Sequence, residues 1–452
     1  MKLIGILFWV LLLLPGCSTY KGKQELFNQS WKAGNLETAR SEIAKQSGKA
    51  GKGDKLIYQL EEGTVLQVMG KFPESVAVFR KAEKGVEDDE NRGSIRLGAE
   101  VSGALVNQAA RAYEPATYDR IMLKTYLALC LLAAGEFDSA SIELLHAYHY
   151  QRQAVQDNAK KIEKAAAEAK ESKVDVERVL AMPQVQEKMT AIKDSCQSYE
   201  GYADYINPFT TLLFTLDLLY NKKDTSNAEN FLDRLEKLVP NHPAIAAEWE
   251  QLSNLRTGKE LSGVTYLIVE TGQAPKRDQI RIDIPLFLVS DQIPYIGAAF
   301  PILKPDPDFV GDFRLVTSQG SVAATMVADV DRIVQTDFRN SLPSIVTRTI
   351  VSSTIKATAN AVLQKQTGVV GGLLGAAYQA AVNIADTRCW TTLPKQVHIA
   401  RIPTPVGGKA RVVSDLLHLD KEVDLKPGRL QFIWVRSIGP NTPAFVTQIA
   451  MP

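Results

Sequence analysis

Cys389 and His398 are the residues of this sequence whose side chains could act together as a nucleophile and a general base. Such a pair needs the imidazole within hydrogen-bond reach of the thiol. The spacing of the two residues matches no known catalytic signature, and His398 stands between Val397 and Ile399 in a segment that alternates as a strand does. His418 lies further along the chain in no better relation to the thiol. We therefore expect no catalytic role for these residues.

Sequence motifs of hydrolysis and of nucleotide binding are also absent. The chain has no Gly-x-Ser-x-Gly elbow, no His-Glu-x-x-His zinc motif and no phosphate-binding Gly-x-x-x-x-Gly-Lys-Ser/Thr loop. His146 and His149 stand three apart on a predicted helix, but no carboxylate or cysteine follows at ligand spacing. We expect no metal, no cofactor and no enzymatic activity, with an envelope enzyme of unrecognised site as the remaining alternative.

Asp386, Arg388 and Trp390 form a compact polar and aromatic segment where a predicted helix gives way to a predicted strand. An ion pair between Asp386 and Arg388 would fix the chain at this transition, and Trp390 would cover the core. The same residues, with Glu270 and Gly272 of an earlier turn, could instead line a groove for a partner or a ligand. Both interpretations are open at the level of sequence.

The beginning of the chain has the pattern of an export signal. Lys2 precedes an apolar run from Leu3 to Leu14, which is too short for a permanent membrane span. The run ends in Leu14-Pro15-Gly16-Cys17, which resembles the lipobox of bacterial lipoproteins. The resemblance implies that residues 1–16 are removed, that Cys17 carries lipid such as palmitate, and that Ser18 favours the outer membrane with the protein facing the periplasm. An ordinary cleaved signal is the alternative.

The composition is that of a globular protein rather than a polyanion-binding one. The chain has 452 residues, with 52 Lys and Arg against 51 Asp and Glu, and the signal contains one of the bases, so the mature chain would be neutral. A neutral chain without basic blocks is not expected to bind nucleic acid. Cys130, Cys196 and Cys389 are too few and too widely spaced for a disulfide framework, and Cys130 is expected to be a small buried side chain.

From Tyr20 to Arg256 the apolar residues recur at helical spacing. One pattern occurs three times: a glycine, then an apolar residue two positions later, then a small residue three positions after that. The three occurrences are Gly34, Leu36 and Ala39; Gly70, Phe72 and Ser75; and Gly135, Phe137 and Ala140. Gly63 and Ala128 each lie seven residues before such a glycine, where two helices must come close. These spacings resemble the tetratricopeptide repeat, and a degenerate fourth unit runs from Pro208 to Pro240. A generic helical bundle is the alternative.

A Lys/Glu/Ala-rich insertion near 150–198 separates the last two units. Apolar residues at alternating spacings of three and four predict a short antiparallel coiled-coil hairpin, broken between Lys173 and Pro183, or a single solvated helix.

After Gly258 the pattern changes to short segments rich in β-branched and aromatic residues. We predict strands at Val264–Val269, Gln279–Ser290, Phe313–Val316, Ser321–Met326, Gln396–Ile402, Ala410–Val413 and Leu430–Val435. A helical stretch from Asp337 to Ala385 lies between them. Its uncharged end, Gly368 to Ala385, is interpreted as the second arm of a packed helical hairpin, with membrane insertion as the alternative.

The predicted fold is thus an α-helical, tetratricopeptide-like domain at 17–257 followed by an α+β domain at 258–452 with a mainly antiparallel sheet and a helical hairpin. The chain resembles an uncharacterised family of bacterial lipoproteins with such an architecture. Four segments carry this resemblance: Asn207-Pro208-Phe209, the Glu270–Arg277 turn, Ala328-Asp329-Val330 and the Asp-Thr-Arg-x-Trp-x-x-Leu-Pro segment at Asp386–Pro394. The family pattern has serine at Cys389, which argues against an essential thiol, and it implies no activity.

These observations predict a lipid-anchored, periplasm-facing scaffold whose helical repeats bind other cell-envelope proteins, in envelope assembly or in the control of cell-wall synthesis. The alternative from another class is a membrane-active, oligomeric component of an export assembly, in which Gly368 to Ala385 enters the bilayer.

Overall fold

The computed structural model describes residues 20–51, 53–95, 111–196, 202, 205–285, 295–382, 384–405, 408–426 and 428–451; of these, the side chains of 21, 23, 89–95, 285, 295, 359–382 and 451 are not described. The signal peptide and the lipidated Cys17 lie outside the described residues and stay predictions.

The first half of the chain is helical, as its periodicity predicts. Its helices are α1 (Tyr20–Lys23), α2 (Glu25–Lys32), α3 (Leu36–Lys49), α4 (Lys55–Val68), α5 (Phe72–Ile95), α6 (Thr117–Ala133), α7 (Phe137–Glu171), α8 (Val176–Leu180), α9 (Pro183–Asp194), α10 (Pro208–Leu216), α11 (Thr225–Leu238) and α12 (Pro243–Arg256).

Three helix pairs, α2–α3, α4–α5 and α6–α7, turn in the same way. Gly34, Gly70 and Gly135 have φ values of 72°, 73° and 81°. Their N–H groups donate to the carbonyl three residues earlier, and the next N–H donates to the carbonyl five residues before it, at 2.8–3.1 Å. This is the Schellman C-cap, which needs a residue in the left-handed region. The recurrence confirms that these glycines end helices and begin tight turns between paired helices.

The predicted close contacts between paired helices are also present. Ala39, Ser75 and Ala140 are fully buried. A Cβ at Gly63 would lie 2.3 Å from Cε1 of Phe79, and Ser75 Oγ donates to the Gly63 carbonyl at 2.8 Å. Helix α4 can therefore approach α5 so closely only because position 63 has no side chain.

The fourth, degenerate unit is the pair α10–α11. The Asn207 side chain caps α10, which continues into a π-helical turn at Asp217–Lys222. Helix α11 buries Ala228, Leu232 and Leu235 and ends at Leu238, before Pro240, as the sequence predicts.

The predicted coiled-coil hairpin is wrong for the described residues, because α7 packs with α6 and with a long helix of the second half and not along α9. The 35-residue α7 ends at Glu171, and Lys173 follows with a φ of 54°. The break therefore falls within the predicted interval. Helix α7 packs against a long C-terminal helix, where Asn158 Nδ2 donates to the Asn340 carbonyl at 2.9 Å. Helix α7 buries Ala154, Ala165 and Ala169 of the insertion.

The described residues of the second half form three sheets. The largest sheet has five strands, in the order β11 (Phe445–Met451), β10 (Leu430–Ser437), β1 (Val264–Thr271), β7 (Gln396–Pro403) and β6 (Thr325–Asp329). Strands β2 (Lys276–Pro285) and β3 (Tyr295–Lys304) form a ribbon, and β5 (Gly320–Ala323), β4 (Arg314–Thr317), β8 (Lys409–Ser414) and β9 (Leu419–Asp424) form a third sheet. The pairing is antiparallel except between β1 and β10.

Strands β3, β9 and β11 are absent from the strands predicted by sequence, and the strand predicted at Ser321–Met326 is instead divided between β5 and β6, which belong to different sheets. Strand β3 contains Gly297 and Pro301, which weaken a strand pattern, and β9 reads Leu-Asp-Lys-Glu-Val-Asp with most side chains exposed. Pairing with β2 and β8 outweighs these local preferences.

The predicted helical hairpin of the second half is wrong. One continuous helix, α13, runs from Val330 to Val382 with Pro343 inside it. The segment that joins the two predicted arms, Leu363-Gln364-Lys365-Gln366-Thr367, has no proline or glycine to end a helix, and single glycines beyond it cost only about 1 kcal/mol each. Among the described residues no helix meets the length and apolarity needed to cross a membrane.

The five-stranded sheet is buried on both faces. Tyr266 and Ile268 of β1 belong to a core shared with the helices, whereas Leu267 and Val269 pack with Leu315 and Val412 of the third sheet. The molecule is therefore layered as helices, central sheet and outer sheet. The predicted boundary at 257/258 coincides with the step from α12 to β1, but one hydrophobic core extends across it.

Candidate functional site

The Asp386–Pro394 segment, which is the most specific part of the predicted motif, leads from α13 to β7 along the helical half. Arg388 Nε and Nη2 bind the Asp386 carboxylate at 2.8 and 2.7 Å, which confirms the predicted ion pair. Its Nη1 reaches the helical half, donating to Asp54 Oδ1 at 2.7 Å and to the carbonyls of Gly53 and Arg111. With 1% of its side chain exposed, Arg388 joins the two halves.

Trp390 packs on the hydrophobic core, as predicted, and its contacts are with residues of the helical half, Thr64 and Tyr126. It is 1% exposed, and its Nε1 donates to the hydroxyls of Thr64 and Thr392 at 3.0 Å. Its ring meets that of Tyr126 edge-on, with centroids 5.7 Å apart.

Glu61 of α4 is the buried acceptor for the next two residues of the segment. Its Oε1 accepts the N–H and the hydroxyl of Thr391, both at 2.7 Å, and its Oε2 accepts the same two groups of Thr392 at 3.1 and 2.6 Å. Burial raises the pKa of Glu61, and the four hydrogen bonds oppose that shift. A fully satisfied carboxylate thus locks the segment to the helices.

Glu270 and Gly272 lie in the interior on the other side of this segment. Gly272 has a φ of 69°, and a Cβ there would lie 2.8 Å from the Asp308 carbonyl oxygen. Arg436 Nη2 donates to the carbonyls of Gly272 and Thr392. Burial raises the pKa of Glu270 to about 7, against the opposing effect of Arg436.

The predicted groove therefore does not form from its five candidate residues. Glu270, Gly272, Arg388 and Trp390 are buried, because their side chains or backbone carry the packing between the two halves. Asp386 alone borders a cavity.

A cleft of about 900 Å³ opens beside the buried segment. One wall is formed by α1, α2 and the residue between them, including Tyr20, Gln24, Asn28 and Gln29. The other is formed by residues 276–278 and 304–308 together with Thr387, Cys389 and Thr391. This volume lies within the range of about 300–1,000 Å³ in which proteins bind small ligands. The cleft exists only because residues from both halves of the chain meet there.

Eight charged side chains border the cleft, four of each sign, and four of them form ion pairs. Lys32 Nζ lies 2.8 Å from Asp306 Oδ2, and Lys304 pairs with Asp278. Lys276 forms no ion pair within the described part of the chain, and burial and the charge of Lys32 both lower its pKa. Of the three lysines that border the cleft, Lys276 is therefore the one without a described ion pair.

Arg277 follows directly and borders the cleft as well. Its backbone N–H donates to Cys389 Sγ at 3.4 Å, and its guanidinium lies over the Phe338 ring, 5.9 Å from the centroid. Its Nε is buried without a described hydrogen-bond partner. Burial lowers the pKa of Arg277, but Tyr118, Tyr113 and Asp386 nearby raise it overall. The two motifs that carry the family resemblance, Glu270–Arg277 and Asp386–Pro394, thus meet at this point.

Cys389 is a poor candidate nucleophile. Its side chain is buried, and burial raises the pKa of its thiol to about 11, so little thiolate exists at neutral pH. His398 Nε2 lies 3.0 Å from Gln396 Oε1 rather than in a described contact with the thiol. The described cysteines are free and buried, which confirms the interpretation of Cys130.

A second, smaller cavity of about 160 Å³ lies on the other side of Arg277. Its charges are largely matched: Glu114 pairs with Lys161 at 2.7 Å and with Arg348 at 3.5 Å. Lys161 is the main cause of the low pKa of Glu114, about 2. Within the described residues no cluster of His, Cys, Asp and Glu is arranged to hold a metal ion.

The sequence does not identify Glu61 or Arg436 as important, because only the fold shows which groups of the Asp386–Pro394 segment they bind. One feature of the sequence could have identified Glu61: its carboxylate lies within the buried face of a helix, where an unpaired charge is costly and a partner is therefore expected.

Comparison with protein-family profiles and with curated proteins found no match. Among solved structures, the chain is similar to a tetratricopeptide repeat protein from Parabacteroides merdae, with 13% identity over 52% of this chain and 99% of that one. The TM-score is 0.15, too low to carry an argument.

Proposed function

We propose that this protein is a lipid-anchored, periplasm-facing scaffold that binds another cell-envelope protein in the 900 Å³ cleft. The cleft between α1–α2 and the second half is the observation that carries the proposal. Tyr20, at its edge, follows the predicted lipidated Cys17 by three residues, so the anchor would hold the cleft close to the membrane.

The position of the binding surface differs from the one that the repeat pattern suggests. Stacked helix pairs usually bind partners on an exposed inner surface. Here Glu61, Thr64 and Tyr126 of the repeat helices contact the chain's own Thr391 and Trp390. The cleft beside this contact is the better candidate for a partner, and the high pKa of the Cys389 thiol favours binding over catalysis.

The proposal is tested by photo-crosslinking in intact cells of the natural host. A photoreactive amino acid replaces Gln29, an exposed residue of the cleft wall, and in a matched control it replaces Leu416, which is 68% exposed on the outer sheet. We expect one reproducible protein captured from position 29 and not from 416, and loss of that product when Cys17→Ala prevents anchoring. Equal capture from both positions, or none from position 29, would contradict the proposal.

A further inference from the structure

Strand β11 is an edge of the five-stranded sheet that has no described neighbour on its outer side. It pairs with β10 along its whole length, from Phe445 to Met451, in an unbroken antiparallel register. Within the part of the chain that the structure describes, its backbone makes no further hydrogen bond. Because alternate residues of an edge strand direct their N–H and C=O groups away from the sheet, β11 can pair with a further strand.

The other edge strands of the described sheets have features that hinder such pairing. At β6, the Asp329 N–H donates to the Tyr202 hydroxyl at 3.1 Å, so a side chain of the helical half occupies its outer edge. Four of the six residues of β9 are charged, β5 has only four residues, and the ribbon of β2 and β3 contains both charges and prolines. Proteins use these features to protect sheet edges. Strand β11 reads Phe-Val-Thr-Gln-Ile-Ala-Met and has none of them.

The side chains of β11 bring both apolar layers of the molecule to this edge. Ile449 is buried in the core shared with the helices and Phe445 packs on it, while Val446 packs on the core between the central and outer sheets. Phe445 and Val446 are nevertheless partly exposed. The segment before the strand is held in place, since the Thr442 hydroxyl donates to the Lys32 carbonyl at 2.7 Å. An added strand would therefore meet a fixed edge and extend both layers.

We propose that two copies of this chain pair through β11, antiparallel across a two-fold axis, so that their central sheets become one continuous sheet. The inference goes beyond the proposed function, because the residues of β11 do not border the cleft. In such a pair one residue lies opposite its own copy, and the residues on either side of it pair with each other. The register centred on Gln448, the middle residue of β11, pairs the whole strand.

The sequence of β11 suits pairing with itself. In this register the two Gln448 side chains lie opposite each other, and an amide offers both a donor and an acceptor to another amide. Val446 of one copy would face Ala450 of the other. Thr447 would face Ile449 in the same way. None of these pairs contains a charge, whereas like charges directly opposite each other would destabilise the sheet. A second copy therefore fits this edge without repulsion.

The geometry also suits two chains that are held in one membrane. A two-fold axis between adjacent antiparallel strands stands perpendicular to the sheet, so the helices of both copies lie on the same side of the joined sheet. Helices α1 and α2 belong to that layer and follow Cys17 closely, so both predicted lipid anchors would lie on that side as well. Attachment to one membrane raises the effective concentration of each copy for the other, which favours pairing through a short interface.

The first test is crosslinking in intact cells that express the full chain with Gln448→Cys, with a short bismaleimide as the reagent. The described native cysteines are buried, so the reaction reports the introduced thiol. Lys421→Cys is the matched control, because Lys421 is exposed on β9, the charged edge of the outer sheet. We expect at least about tenfold more crosslinked homodimer from position 448, where directly opposite Cβ atoms would lie about 5 Å apart.

The second test changes the charge of the residue that lies opposite its own copy. One tagged copy carries Val446→Cys and a differently tagged copy carries Ala450→Cys, so that crosslinking joins the two positions that face each other. With Gln448→Lys in both copies, or Gln448→Glu in both, the product should fall about fivefold. With Gln448→Lys in one copy and Gln448→Glu in the other, it should return to the level of the neutral pair. The control Lys421→Glu should leave the product unchanged.

Thermal denaturation checks that the charged variants fold; if they do not, the comparison of positions 448 and 421 decides alone. Equal homodimer formation from these two positions, or none from position 448, would overturn the inference. It would also be overturned if folded Gln448→Lys and Gln448→Glu copies together gave no more product than like-charged copies. Product from position 448 that joins the chain to a different protein would overturn it in favour of a strand of another partner on this edge.

Discussion

The carboxylate of Glu61 accepts both the backbone N–H and the hydroxyl of Thr391, each at 2.7 Å, and so joins α4 to a segment 330 residues later in the chain. Arg388 and Trp390 make further contacts across the same boundary. Because three side chains of this short segment bind groups of the helical half, the two halves are expected to unfold together.

Replacement of Glu61 by Gln tests this junction. Glutamine keeps the shape but has one acceptor oxygen, and its NH₂ group would face the donors of Thr391 or Thr392. The free energy of unfolding should fall by about 2–3 kcal/mol, the worth of buried hydrogen bonds to a charged group. Urea denaturation measures this, with the exposed Glu37→Gln as a control that should stay within about 0.5 kcal/mol. A neutral Glu61→Gln would refute the role assigned to the carboxylate.

Arg388→Lys keeps the charge of the buried guanidinium but loses its geometry. Lysine cannot bind both oxygens of Asp386 while it also contacts Asp54 and two carbonyls, so we expect a loss of about 2–3 kcal/mol in the free energy of unfolding. Arg411→Lys is the control, because Arg411 also pairs through two nitrogens, with Asp420, but on the exposed surface. Its change should be below about 0.5 kcal/mol, and equal losses at both sites would contradict the structure.

Gly63→Ala should destabilise the protein although alanine favours helices. Its Cβ would lie 2.3 Å from Phe79, so helix α5 must shift, at about 1–3 kcal/mol. Gly85→Ala, in α5, meets Leu56 at an ordinary 3.4 Å and should be neutral or stabilising by up to about 1 kcal/mol. Thermal denaturation of the pair checks the prediction. A stabilising Gly63→Ala would show that α4 and α5 are not so close.

Glu270 predicts a specific dependence of stability on pH. Its folded pKa of about 7 lies above the usual value of 4.5, so the folded state binds a proton that the unfolded state has released. The stability of the wild-type chain should therefore fall as the pH rises from about 4.5 to about 7, by on the order of 3 kcal/mol from this group. Asp119 and Asp331, each with a pKa of about 6, contribute with the same sign.

The difference between Glu270→Gln and the wild type isolates this residue, because the other groups titrate in both proteins. The free energy of unfolding of the variant, measured in urea at several pH values, should increase relative to the wild type through that interval and change little above it. A constant difference between the two curves would contradict a buried, titrating Glu270.

The sequence predicts the elements that depend on local chemistry. Gly34, Gly70 and Gly135 end helices because a left-handed residue is needed at each turn, and the Asp386–Arg388 pair forms between residues two apart. Both depend on neighbours in the chain, so spacing alone is enough to find them.

The rest depends on partners distant in sequence. The long helix α13 was predicted as a hairpin because its glycines resemble a packing face, whereas nothing between Val330 and Val382 ends a helix. The candidate groove failed for a related reason: Trp390 and Arg388 meet Thr64 and Asp54 more than 300 residues away, and such contacts leave no periodic signal. The cleft combines residues from four separate segments of the chain.

The measurement that most directly tests whether the partner binds in the cleft is the ratio of photo-crosslinked product from position 29 to that from position 142, in intact cells expressing the full chain. Ile142 is 52% exposed on α7, part of the repeat surface that the packing leaves open. Binding in the cleft predicts capture of the partner from position 29 well above that from 142. Capture mainly from position 142 would contradict it and would assign the partner to the outer surface of the helical repeats.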